Sequence, residues 1–138
     1  MDSGRTKPFD LGERTLLFAQ RTVRFVDRVC YGVANVEIAR QLVRSSGSVG
    51  ANYIEAGESL GKKDFMMHIR ICAKEAKESR YWLRLISCET VLESERESLI
   101  AEASELTRIF GAMIRNARLR QETEHLKRKH GNTLSGLE

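Results

Sequence analysis

The sequence predicts an all-α protein, an antiparallel up-down four-helix bundle. Three observations predict it. Apolar residues recur at alternating steps of three and four along four separate segments, the period of one helical face. No stretch shows the period-two alternation of a strand. The one proline, Pro8, stands near the start, so none interrupts the segments behind it. The chain has 138 residues, room for one continuous core, and is 41% hydrophobic and 30% charged, the balance of a soluble protein. Residues 1–8 read as a disordered N-terminus, 9–118 as the bundle and 119–138 as a polar, partly disordered C-terminal tail.

The first segment runs from about Leu11 to Cys30. Leu16, Ala19, Val23, Val26 and Cys30 line one face, and Phe18, Phe25 and Val29 widen it. Asp10 followed by Glu13 reads as the N-terminal cap. The "YGVAN" stretch is a short connection. The second segment contains "RSSGSVGANYIEAGES", which holds glycines and serines enough for a loop. Ile38, Leu42, Ser45, Val49, Asn52 and Ala56 nevertheless keep the four-three register through it, so Val36 to about Ser59 reads as one helix. Gly47 and Gly50 each cost about 1 kcal/mol relative to alanine there. Close approach of a neighbouring helix is the natural compensation. The third segment, Lys62 to Ser87, places Phe65, Ile69, Cys72, Ala76, Ser79, Leu83 and Ile86 on one stripe. The fourth begins near Ser94, where Ser94 and Glu97 form an S-x-x-E capping box. Leu99, Ala103, Leu106, Phe110, Met113 and Ala117 carry its stripe, and the tail extends the helix for a few turns before fraying.

Several chemistries find no footing. Cys30, Cys72 and Cys88 are widely spaced with no C-x-x-C pair, which leaves small buried thiols as the reading. Glu55, Glu75 and Glu78 lie beside apolar stripes, but a two-metal bundle site needs Glu-x-x-His pairs that are missing, so no metal or other cofactor is expected. These acids are expected to pair with Arg40 or Arg44, or to hydrogen-bond Ser45, Ser48 and Asn52. "GSVG" lacks the lysine and strand of a phosphate loop and the sheet that flanks the GXXG loop of a KH domain. No serine or cysteine nucleophile stands at a readable spacing from a histidine, and the expectation is a protein that is not an enzyme. No apolar run approaches the roughly 20 residues needed to cross a bilayer, and the N-terminus has no signal-peptide core. A cytoplasmic location, away from membranes, is the default expectation.

Four stretches together carry a family resemblance: "FDLGERTLLFA", "IARQLVRSSGSVGANYIEA", "KKDFMMHIRICAKEAKESRYWLRL" and "LTRIFGAMIRNAR". With Arg40-Gln41-Leu42, Ser48 to Asn52, Glu55, Glu75 and Tyr81-Trp82-Leu83 in place, the chain strongly resembles the four-helix-bundle proteins encoded in intervening sequences of bacterial large-subunit ribosomal RNA genes. Gly47 is a departure, since the family more often has threonine or a better helix former there. The resemblance implies an up-down bundle assembled into a ring-shaped homopentamer, with no catalytic residues. A related group, accessory proteins of diversity-generating retroelements, binds a reverse transcriptase and nucleic acid.

Charge points to a surface. The net charge is +4, and between Lys62 and Arg84 seven Lys/Arg face three Asp/Glu. Lys63, Arg70, Lys74, Lys77 and Arg84 share one helical face with Tyr81, roughly 150° from the apolar stripe. Such cations can contact phosphates of RNA or DNA and Tyr81 can stack on a base. The plainer alternative is a solvated face with Lys74–Glu78 pairing at i,i+4. Ile71, Trp82 and Leu85, like Phe18 and Phe25, fall outside the main stripes and are expected at a subunit interface, with Trp82 as the anchor. The expected function is therefore a non-enzymatic homo-oligomer that binds nucleic acid through a basic face. The alternatives are a protein-partner adaptor and a purely structural bundle.

Overall fold

The structure, a computed structural model, describes residues 10–135, with side chains through residue 132. Residues 1–8, expected to be disordered, lie outside the described residues. The described residues form four α-helices and no strand: α1 (Leu11–Val26), α2 (Val33–Gly57), α3 (Lys62–Leu85) and α4 (Glu93–Ser135). Each helix packs against the next, and α4 returns to close lightly on α1. None of the helices is long and apolar enough to cross a membrane among the described residues.

α1 starts where the sequence says it should. The Asp10 carboxylate accepts the Glu13 backbone N–H at 3.0 Å, which satisfies a donor that the first turn leaves orphaned. Its buried face, however, is rotated from the expected one. Leu16 and Val23 are exposed, as is Cys30 beyond the helix end at Val26. Leu11, Thr15, Phe18, Thr22, Phe25 and Val26 face the core instead. Phe18 and Phe25, expected at a subunit interface, are fully buried within the chain. Two physical terms decide this. Two phenylalanines remove more apolar area from water than Leu16 and Val23 can. The intervening threonines remain satisfied, because Thr15 Oγ1 donates to the Leu11 carbonyl at 2.6 Å and Thr22 Oγ1 to the Phe18 carbonyl at 2.8 Å.

α2 is continuous through its glycines and serines. Leu42, Ser45 and Val49 are fully buried, and Ser45 Oγ accepts from Ser79 Oγ of α3 at 2.8 Å. Gly50 faces α1: a Cβ built there would stand 3.2 Å from Thr15 Oγ1. A Cβ at Gly47 would meet nothing within 4 Å. The close approach expected for both glycines therefore exists only at Gly50, and it is made within the chain.

α3 carries the stripe read from its spacing. Ile69, Cys72, Ala76, Ser79 and Leu83 are fully buried, with Ile86 just beyond the helix. Leu99, Ala103, Leu106 and Phe110 of α4 meet them, while Met113 and Ala117 are half-buried. The start of α4 differs from expectation. A 3₁₀ turn, Thr90–Leu92, runs directly into Glu93, so Ser94 lies inside the first turn rather than at its cap. Arg96 does the joining there. Its Nε and Nη2 donate to Glu93 at 3.1 and 2.8 Å, and its Nη1 reaches the carbonyls of Leu83, Arg84 and Ile86 at 3.3–3.4 Å. A cation at the negative end of α3 satisfies carbonyls that the helix cannot.

Two polar ties close the ends and the seam. Asn35 is buried, donates to the carbonyls of Cys30 (3.0 Å) and Ser87 (2.8 Å), and accepts the Ser87 N–H at 3.1 Å. It fastens the α1–α2 connection to the α3–α4 connection. Arg14 grips Glu102 in a two-pronged pair, both contacts 2.8 Å, which holds α1 to α4.

α4 has 43 residues, about 65 Å of helix, whereas the 24 residues of α3 span about 36 Å. Residues 118–132 are all exposed, so the helix continues past the bundle as a rod, the extension expected of the tail, and stays helical to Ser135.

Candidate nucleic-acid interface

The outer side of α3 is built by periodicity alone. With Phe65, Ile69, Cys72, Ala76, Ser79 and Leu83 committed to the core, Lys63, Arg70, Lys74, Lys77, Tyr81 and Arg84 fall within an arc of about 80° on the opposite side. All six are exposed. No acidic residue of α3 shares that arc, since Asp64, Glu75 and Glu78 point to one flank. Among the described residues, none of the five cations makes an ion pair. The i,i+4 partner expected for Lys74 is taken: Glu78 pairs with Arg44 of α2 at 2.8 Å.

Arg44 organises the flank. Its Nη1 donates to Glu75 at 3.2 Å, its Nη2 to Glu78 and its Nε to Gln41 at 3.3 Å. Glu75 is buried, with 7% of its surface exposed. Burial raises its carboxyl above the usual value, and Arg44 recovers only part of that. Burial pulls on Glu78 in the same sense, but the Arg44 hydrogen bond and charge hold it below the usual value. The two carboxylates are thus occupied by one guanidinium, and Lys74, Lys77 and Tyr81 rim the same shallow depression without being neutralised by them.

Tyr81 is 58% exposed. Its ring meets Trp82 nearly edge-on, centroids 5.0 Å apart at 78°. Trp82 packs against the core and donates its Nε1–H to Glu78 at 3.4 Å. A line of support therefore runs Arg44–Glu78–Trp82–Tyr81. Of the three residues expected at a subunit contact, Trp82 and Ile71 are half-buried and Leu85 is exposed. More apolar surface lies elsewhere: Leu16, Leu17 and Val23 on α1, and Val36 and Val43 on α2.

Two contributors to the face escaped the sequence reading. Met67 is exposed at the edge of the arc, about 20° beyond Lys74, and the spacing alone identifies it. The placement of Arg44 against Glu78 joins two helices, and no local pattern announces a choice between Arg40 and Arg44. Arg40 pairs instead with Glu37 on the surface. Glu55 is exposed, not beside the core, and Asn52 bonds Ser48 and His68. Among the described residues no group of three His, Cys, Asp or Glu side chains could hold a metal ion. Only Cys72 of the three cysteines is buried, and burial pushes its thiol up to about 12.

Three comparisons bear on this architecture. No curated protein matches the chain. The crystal structure of a protein of unknown function from the S23 ribosomal protein family of Bacteroides thetaiotaomicron VPI-5482 is similar, with a TM-score of 0.60 and 26% identity. The similarity covers 75% of this chain and 96% of that one. A family profile described as 23S rRNA-intervening sequence protein matches residues 11–112, from the first residue of α1 into α4. That stretch includes the capped start of α1, the glycine-bearing α2 and the whole of α3, and the chain belongs to the family of 23S rRNA-intervening sequence proteins.

Proposed function

We propose that this protein is a non-enzymatic, homo-oligomeric scaffold that holds RNA or DNA against the outer face of α3. The observation that carries the reading is the set of five exposed cations, none paired with a carboxylate among the described residues, on an arc of α3 that has no acid of its own. Cations left free in this way release counterions from a phosphate backbone when they bind it. A non-catalytic role is supported by the reactive side chains being engaged separately. Cys30 hydrogen-bonds Glu89, Cys88 contacts Glu93, Cys72 is buried, and His68 bonds Asn52.

Self-association, in the family's implied form a pentamer, would repeat the face and turn weak contacts into avid binding. Its support is the apolar surface on α1 and α2. With Gly50 opposite Thr15, the antiparallel register brings Val23 level with Val43 along the bundle. The projecting end of α4, with Leu119 and Leu126 exposed, favours a second reading as an adaptor for a protein partner.

The test is binding of RNA and DNA at about 50 mM and about 200 mM salt. Binding at low salt with a steep salt slope is expected. Lys74→Glu with Lys77→Glu should weaken binding and lower the slope by about 1 to 2. No binding at low salt, or binding indifferent to the double substitution, sinks the reading. Light scattering at micromolar concentration tests the oligomer, and a monomer there ends that part.

A further inference from the structure

The geometry points to a narrower ligand for this face: an unpaired polynucleotide strand, seated with a base on Tyr81 and its phosphates along the α3 cations. The inference rests on the nucleic-acid reading above and sharpens it.

The first argument is shape. Lys63 to Arg84 forms a straight row about 31 Å long. A duplex backbone winds around its own axis once in about 34–36 Å, so a straight row meets it only where a strand crosses. An extended single strand can follow the row from end to end.

The second is the position of the aromatic ring. Tyr81 stands inside the row, with Lys77 one turn before it and Arg84 one turn after it. A ring between cations offers a base its face while the flanking phosphates meet charge. In a duplex the base faces are already stacked, and this surface has nothing to read them with. Met67, exposed at the edge of the arc, adds apolar surface further along.

The third is preorganisation. An exposed tyrosine ordinarily samples several rotamers, which costs binding energy when one is selected. Here Trp82 backs the ring at 5.0 Å, Glu78 holds the Trp82 Nε1–H, and Arg44 holds Glu78 at 2.8 Å. The platform is anchored to the core through Trp82.

Trp82 is also the chain's single tryptophan, so its fluorescence reports on the Tyr81 platform directly. The experiment titrates the full chain with single-stranded oligo-U and oligo-dT and with RNA and DNA duplexes of equal length, at one low salt concentration. Tighter binding of the single strands, with a change in Trp82 emission, is expected. Tyr81→Ala should weaken single-strand binding by about 5- to 100-fold, while Tyr81→Phe retains it, because the ring and not the hydroxyl does the stacking. Tyr81 is exposed, so an unchanged urea midpoint checks that both variants fold. Duplex binding equal to or tighter than single-strand binding overturns the inference, as does a Tyr81→Ala variant that binds single strands like the parent. Either result leaves the basic-face reading standing. Failure of every nucleic acid to bind overturns both.

Discussion

Gly47 and Gly50 sit three residues apart on α2 and have opposite surroundings. A methyl group at Gly47 meets open space, so Gly47→Ala should stabilise the fold by about 0.5–1 kcal/mol in urea unfolding, through helix propensity and a less mobile unfolded chain. At Gly50 the new methyl would press on Thr15, whose hydroxyl is fixed by its bond to the Leu11 carbonyl. Gly50→Ala should therefore fall well short of the gain at Gly47. A loss at Gly47 would mean that another surface is seated there. The buried Glu75 gives a second prediction at this scale. Its folded carboxyl is raised above the ordinary 4.5, so the folded state binds its proton more readily and stability falls as pH rises through and above that value. Glu78 is lowered, so its contribution is present above 4.5 and is lost as pH falls. Glu75→Gln removes the first effect and leaves Arg44, the larger influence holding Glu78 low, in place. Relative to the parent, its urea midpoint should gain more at about pH 7 than at about pH 5. The threonines show what single residues conceal. Thr15 and Thr22 are polar letters in the sequence, yet each satisfies its own hydroxyl within α1 and can be buried, which hid the true core face.

Among the elements, α3 and most of the α4 stripe were legible in the sequence, because one four-three register of apolar and small residues runs unbroken along each. α1 was not, since two apolar stripes share it and only area decides between them. The start of α4 depended on a contact between helices. Arg96 holds Glu93 on its own helix and three carbonyls at the end of α3. Removing it as Arg96→Ala should cost about 1–2 kcal/mol in urea unfolding. Arg96→Lys should recover little, because an ammonium cannot span both sets of acceptors with a planar fork. Equal stability of the alanine variant would show that solvent serves those carbonyls as well as the guanidinium does.

For the molecule as a whole, the basic face was legible because it is the complement of a strong core stripe on one helix. Its supports were not, because Arg44, Glu78 and Trp82 come together only when α2 lies against α3. The same limit hid Asn35, whose hydrogen bonds join segments 52 residues apart in the chain. α4 adds a consequence of a mechanical kind. From Glu93 to Gly131 it contains no proline, and its only glycine before Gly131 is Gly111, alongside the core. The exposed rod thus has no hinge between the bundle and its outer turns. A spin label at residue 126 should report one narrow distance to a label on α2, and a broad distribution would show that the rod melts where its packing ends. If the distance is narrow, whatever grips the outer end of α4 also fixes the heading of the α3 face, as a handle fixes the heading of a blade.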